Sequence, residues 1–390
     1  MKVITDEKKI EEVLGRGVEE IIEKEHLVNN LKSGRRLNIK FGIDPTMPDL
    51  HLGHSVPLKK LRQFQEMGHL AILVIGDATA MVGDPSGRSE TRKMLQSSEV
   101  KKNMKNYLKQ AKKILNIKKT KVVYNSKWLG GHSMVTILEL SKAGSIQQIL
   151  HRSDFKKRIK NDQDITLLET LYPLMQGYDS VVMKADLEIG GTDQKFNLLT
   201  GRRVQRYFQM AEQDILTLPL LEGTDGIKKM SKSYDNYIAL DEKPDNMFGK
   251  IMSIKDELID KYFKLCTNFT ESEIPKDRNP KNNKMKLAHE IVKIYHGEKN
   301  AEKAEENFIN TFQKREIPEE MMELKTEGEK TLMDILVEAK ILSSKGDFRR
   351  LVEERAVTNL DSDKKITDVN TIPKSGMKFK IGKKRFVKIK

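Results

Sequence analysis

Around residue 40 the chain alternates apolar and polar positions. Leu37, Ile39, Phe41 and Ile43 are set against Asn38, Lys40 and Gly42, the period-two signature of a strand. A loop of turn formers, Asp44-Pro45-Thr46-Met47-Pro48-Asp49, leads into a segment from about 54 to 67. There Leu58, Leu61 and Phe64 share one helical face, and Gly68 stands as a C-terminal stop. Leu70-Ala71-Ile72-Leu73-Val74-Ile75 is apolar throughout, as in strands covered on both faces of a parallel sheet. Strand, helix and strand together predict a βαβ unit. Strand-like runs at 121–124 and 185–189, with helical stretches between them, continue the alternation to about residue 225. The expected architecture is a doubly wound α/β domain with ligands at the carboxyl ends of its strands. Ahead of it, residues 11 to about 31 read as one charged helix ending near Ser33-Gly34.

From 244 to 312 the pattern turns helical, rich in Lys and Glu and punctuated by Pro275 and Pro280, which predicts a second, helical domain. Residues 315–330 (REIPEEMMELKTEGEK) are charged and lack strong apolar periodicity, so they read as a linker. A small α+β unit follows: a helix over 332–339, an N-capped start at Ser343-Ser344-Lys345-Gly346-Asp347, and strands near 379–381 and 385–389. The expected divisions are 1–225, 226–315, a linker at 316–330, and 331–390.

Composition narrows the partners. The 390 residues carry 71 Lys+Arg against 57 Asp+Glu, a net charge of +14. A hydrophobic fraction of 37% with 24 Gly and 11 Pro excludes collagen-like, low-complexity and wholly disordered chains. The single cysteine, Cys266, cannot form an internal disulfide, and the N-terminal stretch lacks an apolar signal region. Reducing cytoplasm is therefore the expected compartment. No apolar run approaches the ~18–20 residues of a membrane span, so no membrane association is expected. The positive balance suggests a polyanionic partner such as nucleic acid. It is concentrated in residues 374–390, where Lys374, Lys378, Lys380, Lys383, Lys384, Arg385, Lys388 and Lys390 meet no acidic residue.

Two constellations carry candidate chemistry. In Asp49-Leu50-His51-Leu52-Gly53-His54, two histidines three residues apart at a helix start share a face beside unsatisfied backbone N–H groups, which suits phosphate. Gly53 lets a flat ligand such as a purine lie against the backbone. The same pair also reads as helix capping or as half of a metal site. A metal would need further ligands from a chain with eight histidines and one cysteine. In Gly226-Ile227-Lys228-Lys229-Met230-Ser231-Lys232-Ser233, Lys229 and Lys232 can reach over a triphosphate, though such a loop alone is more often a solvated surface. Together the two segments resemble the paired signatures of class I aminoacyl-tRNA synthetases, HIGH and KMSKS, the first present as the variant HLGH and the second intact.

Between them, Tyr172, Gln176 and Asp179 stand at i, i+4 and i+7, one face of a helix. A buried phenol, amide and carboxylate need partners, which either a core network or a polar ligand supplies. This stretch, with Gly76-Asp77-Ala78-Thr79, Gly83-Asp84-Pro85-Ser86-Gly87-Arg88, Arg92 and Gly190-Gly191-Thr192-Asp193-Gln194, resembles the amino-acid pocket of bacterial-type tyrosyl-tRNA synthetases. The resemblance runs from roughly residue 30 to 390 and implies a Rossmann-like catalytic domain, a helical anticodon-side domain and an S4-like RNA-binding domain. It also implies tyrosine activation with ATP and Mg²⁺, transfer to tRNA(Tyr), a homodimer, no structural metal and no editing domain.

Carried over by position, Asp179 would take the tyrosine hydroxyl, and Tyr172, Gln176 and Asp84 the α-ammonium. Gln194 would lie near the carboxylate, with Thr79 in the same pocket and Asp44 and Thr46 beside the reacting groups. Gly191 and Asp193 would meet the ribose, and His51 and His54 the phosphates. Gly53, Met230 and Ser231 would complete the ATP site, while Lys229, Lys232, Arg88 and Arg92 would hold the leaving pyrophosphate. One departure is Lys40, where many such enzymes have a tyrosine sharing the substrate hydroxyl. Lys40 either pairs with Asp179 or points elsewhere. In the S4-like segment, Lys345, Arg349 and Arg350 would meet phosphates without reading sequence. Two rival readings are a tryptophanyl synthetase, which shares fold and signatures, and an RNA-binding or splicing accessory protein that has lost catalysis.

Overall fold

The apolar runs pair into a six-stranded sheet. This computed structural model describes residues 2–86, 95–130, 134–313, 321–324, 330–362, 364–382 and 385–390. Strands β1 (Glu20–Ile22), β2 (Asn38–Ile43), β3 (Leu70–Ile75), β4 (Thr120–Tyr124), β5 (Leu187–Gly191) and β6 (Asp214–Leu218) lie in the order β1-β6-β5-β2-β3-β4. Strands β2 to β6 are parallel, and β1 joins β6 antiparallel. From β2 the chain steps outward through β3 and β4, then returns to β5 on the other side of β2 and continues to β6. The order therefore reverses between β2 and β5, where an open parallel sheet forms its ligand crevice.

Several expectations change. The N-terminal segment is not one helix. It forms Glu7–Gly15, then β1, then Lys24–Lys32. Gly17 at φ +63° turns the chain, and a Cβ there would come within 3.0 Å of Leu265, so the break serves packing. β6, unpredicted from the sequence, is buried along its whole length. The helix after β2 starts at Leu52, two residues earlier than expected, which makes His51 its N-cap.

Two compact units result, Met1–Glu302 and Lys303–Lys390. Helices Pro244–Met252, Ile259–Cys266 and Pro280–His296 fall within the first, where Ile259–Cys266 packs on Leu52–Glu66. In the second unit, β7 (Met322–Leu324), β8 (Val357–Asn359), β9 (Lys364–Lys365), β10 (Lys378–Ile381) and β11 (Arg385–Ile389) form a sheet in the order β7-β11-β10-β8-β9. β7 lies inside the stretch read as a linker and pairs parallel to β11, Val387 opposite Met322. Leu332, Leu336, Phe348, Phe379 and Ile389, all fully buried, centre this unit's core.

Candidate active site

Loops at the carboxyl ends of β2, β3, β5 and β6 contribute to one cavity of about 320 Å³ in the first unit. Asp44 follows β2, Thr79 follows β3, and Asp193 and Gln194 follow β5. The helix Leu167–Met183 brings Tyr172, Gln176 and Asp179 to the same space. It lies close to helix Lys195–Tyr207 because Gly177 faces Gly201. A Cβ at Gly177 would come within 2.8 Å of Val204 and 3.2 Å of the Gly201 backbone.

Three carboxylates face this half of the cavity, each held by neutral donors. The Trp128 indole N–H donates to Asp179 Oδ1 at 2.8 Å, and the Asn125 amide to Oδ2 at 3.3 Å. Tyr172 Oη and Thr79 Oγ1 donate to the two oxygens of Asp44 at 2.9 and 2.8 Å. Gln194 Nε2 donates to Asp84 Oδ2 at 2.7 Å. Burial raises Asp179 to about 6, against the charge of Lys40 and the bonds from Trp128 and Asn125. It raises Asp44 to about 7, aided by the charges of Asp84 and Asp179. Burial, then the charge of Asp44, holds the Tyr172 phenol protonated far above its usual range. Such a pocket favours a ligand bringing a cation and a hydroxyl donor.

Lys40 does not pair with Asp179. Its fully buried ammonium sits 2.9 Å from Glu188 Oε1, 2.7 Å from Ser180 Oγ and 3.0 Å from the Gln176 carbonyl. Glu188 in turn accepts from Gln176 Nε2 at 3.1 Å.

The other half of the cavity is built by the two signatures packing on each other. Leu52 N–H donates to the Ile238 carbonyl, and Leu240 N–H to that of Leu50. A Cβ at Gly53 would lie 3.0 Å from the His51 ring and 3.6 Å from Met230 Cβ, so Gly53 is where the motifs touch. The histidine rings lie with centroids 3.8 Å apart, tilted by 35° to each other. Burial, then the charge of Lys229, lowers His54 to about 4. Burial, then the charges of His54 and Lys229, lowers His51 well below its usual range. Both are neutral at pH 7. His54 Nδ1 accepts from the His51 backbone N–H at 3.2 Å, which leaves its proton on Nε2. Buried His51 Nδ1 has no hydrogen-bond partner among the described residues. Lys229 pairs with Asp193 at 2.7 Å and Lys232 with Asp49 at 2.9 Å.

The cavity thus gathers Asp44, Thr46, His51, Gly53, His54, Thr79, Asp84, Tyr172, Gln176, Asp179, Gly191, Asp193, Gln194 and the loop residues Lys229, Met230, Ser231 and Lys232. Arg88 and Arg92 lie outside the described residues. Lys345, Arg349 and Arg350 belong to the second unit, on helix Lys345–Glu353. There Lys345 pairs with Asp334 and Arg350 with Asp347. Sequence reasoning missed Asn125, Trp128, Glu188 and Asn236. The Asn236 side chain accepts from Ser231 N–H and donates to Asp225 and to the carbonyls of Lys228 and Lys229. That pins the base of the lysine loop. No short motif marks these four residues. The only signal available was that a buried carboxylate needs donors.

Fold and site define the class. The family model of class I tRNA synthetases of the W and Y type matches residues 32–313. The chain is 46% identical to the tyrosine–tRNA ligase of Thermotoga maritima over 387 residues, 97% of this chain and 96% of that one. It is 47% identical to that of Aquifex aeolicus over 383 residues, 97% of each. The chain belongs to the tyrosine–tRNA ligases. A solved tyrosyl-tRNA synthetase of Archaeoglobus fulgidus, complexed with L-tyrosine, shares the fold at a TM-score of 0.62 and 21% identity, over 76% of this chain and 99% of that one.

Proposed function

We propose that this chain activates tyrosine with ATP·Mg²⁺ and transfers it to the 3′ end of tRNA(Tyr). The observation that carries the reading is one cavity with two chemically distinct halves. One holds three carboxylates on neutral donors; the other holds two neutral histidines and two loop lysines. The first half suits an amino acid's ammonium and phenol, the second a triphosphate.

Asp179 accepts a hydrogen bond from the substrate's phenol O–H. Tyr172 donates to Asp44, which leaves its oxygen lone pair, with Asp84 and the Gln176 side-chain Oε1, to receive the α-ammonium. The tyrosine carboxylate then attacks the α-phosphorus, and the bond from that phosphorus to the α,β-bridging oxygen breaks to release pyrophosphate. His54 donates from Nε2 without carrying charge, so it stabilises phosphate oxygens without binding pyrophosphate tightly after cleavage. Lys229 and Lys232 exchange Asp193 and Asp49 for the departing pyrophosphate, and Asp193 is then free for a ribose hydroxyl. Arg88 and Arg92 are assigned to the same charge. In the second step the terminal ribose hydroxyl of tRNA attacks the tyrosyl carbonyl and AMP leaves. Positioning and electrostatic stabilisation carry the first step, with no covalent enzyme intermediate.

The remaining assignments follow the same reading. Residues 1–225 form the catalytic region, 226–315 the loop and anticodon-side helices, 316–330 a connection and 331–390 an S4-like RNA-binding module. Exposed Arg349 and the basic 374–390 segment support RNA contact there. Exposed Ile137, Leu138, Ile146, Ile159 and Leu167 on consecutive helices support a homodimer. Among the described residues no helix is long and apolar enough to cross a membrane, and a cytoplasmic location accords with the lone, buried Cys266.

ATP–pyrophosphate exchange with tyrosine, phenylalanine or tryptophan supplied separately tests the reading. Exchange driven by tyrosine alone is expected. Exchange driven by tryptophan, or none from folded protein, would overturn it.

A further inference from the structure

Lys40 and Glu188 are register partners on adjacent strands β2 and β5, at the point where the sheet reverses order. Both are buried, at 0% and 1% exposure, beneath the amino-acid half of the cavity. A buried ion pair is weak evidence for stability, since removing two charges from water costs about what their attraction returns. Its polar saturation shows what it does instead. The three donors of the Lys40 ammonium go to Glu188, to Ser180 Oγ and to the Gln176 carbonyl. Glu188 accepts from Lys40 and Gln176 Nε2 on one oxygen, and from Ser180 Oγ at 3.1 Å and Gln213 Nε2 at 2.5 Å on the other.

Gln176 and Ser180 flank Asp179 on one helix, so Lys40 ties that helix to the sheet on both sides of the carboxylate. Gln176's amide nitrogen is committed to Glu188, which leaves its Oε1 as the atom presented to a ligand. We propose that the Lys40–Glu188 pair is the positioning element of the tyrosine pocket. It fixes the helix around Asp179 and holds the Gln176 amide in the orientation that accepts an ammonium. The inference rests on the tyrosine-activating reading above.

The pair also sets charge at the pocket floor. The groups facing Asp179 are Lys40 from β2, Glu188 from β5, Asn125 and Trp128 from beyond β4, Asp44 from the loop after β2, and Tyr172 on its own helix. Lys40 acts to keep Asp179 ionised, and Glu188 acts more weakly against it. The two members of the pair therefore pull the carboxylate in opposite directions.

The test compares wild type with Lys40→Met, Glu188→Gln and the double variant, measuring kcat and KM for tyrosine in pyrophosphate exchange across pH, with thermal melting alongside. Lys40→Met is expected to raise the tyrosine KM by about tenfold or more at neutral pH, with a smaller change in kcat. Its acid limb in kcat/KM moves upward. Glu188→Gln moves that limb downward. The double variant regains melting temperature over Lys40→Met because no buried charge is left unpaired, yet it keeps the upward limb. If Lys40→Met does not fold, Glu188→Gln and the double variant carry the comparison. Limbs moving the same way, or a tyrosine KM within about twofold of wild type in all folded variants, would overturn the proposal. Absence of tyrosine-dependent exchange in the wild type would instead remove the reading on which it rests.

Discussion

Replacing Trp128 with phenylalanine deletes one atom that matters, the indole N–H held 2.8 Å from Asp179 Oδ1. The carboxylate is buried, and its other neutral donor, Asn125, stands farther away at 3.3 Å. A hydrogen bond to a charged group contributes about 1.5–3 kcal/mol, and this one favours only the ionised form. Its loss therefore moves the titration of Asp179, which burial already raises to about 6, upward by about one to two pH units. The sign follows from which form works. The ionised carboxylate accepts the tyrosine hydroxyl, so affinity is full above its pKa and is lost as pH falls through it. Wild type is expected to lose tyrosine affinity below about pH 6. The variant should already have lost about two- to tenfold at neutral pH and should approach wild type in mild alkali. Tyrosine KM in pyrophosphate exchange across pH is the assay, with thermal melting to register the smaller ring's packing loss. A KM increase of equal size at every pH, or none, would refute the reasoning, because the indole would then act by packing alone.

Lys232→Met should lower kcat for exchange by about a hundredfold with the tyrosine KM little changed; an unchanged single-turnover rate of adenylate formation would remove the pyrophosphate role. Gly53→Ala brings a methyl against the His51 ring and Met230, so the ATP KM should rise while the tyrosine KM holds, and equal increases in both would point to general misfolding. Asn236→Ala frees the lysine loop at Ser231, Lys228 and Lys229. Single-turnover kinetics should show a slower pyrophosphate-releasing step, and tyrosine binding by equilibrium titration should stay intact; a loss of tyrosine binding would contradict the division of the cavity into halves.

The chemistry of this protein was written in short, local patterns, and those the sequence determined by itself. The Tyr172/Gln176/Asp179 face is legible because helix spacing puts its side chains on one side, and HLGH and KMSKS are legible through their resemblance to the paired class I signatures. β3 was legible residue for residue because a strand buried on both faces must be apolar along its length, and β2 to within one residue from its period-two alternation. What tertiary structure decided were the partners. β1 and β6 pair across the sheet edge, and the three-residue β7 is a strand only because β11 lies beside it. Trp128 meets Asp179 from 51 residues away. Lys40, for which local reasoning left open Asp179 or another partner, is neutralised by Glu188 because the order β5-β2 makes those two neighbours. The partner of a buried charge depends on which strands the fold makes adjacent, and that adjacency emerges only when distant apolar surfaces bury together.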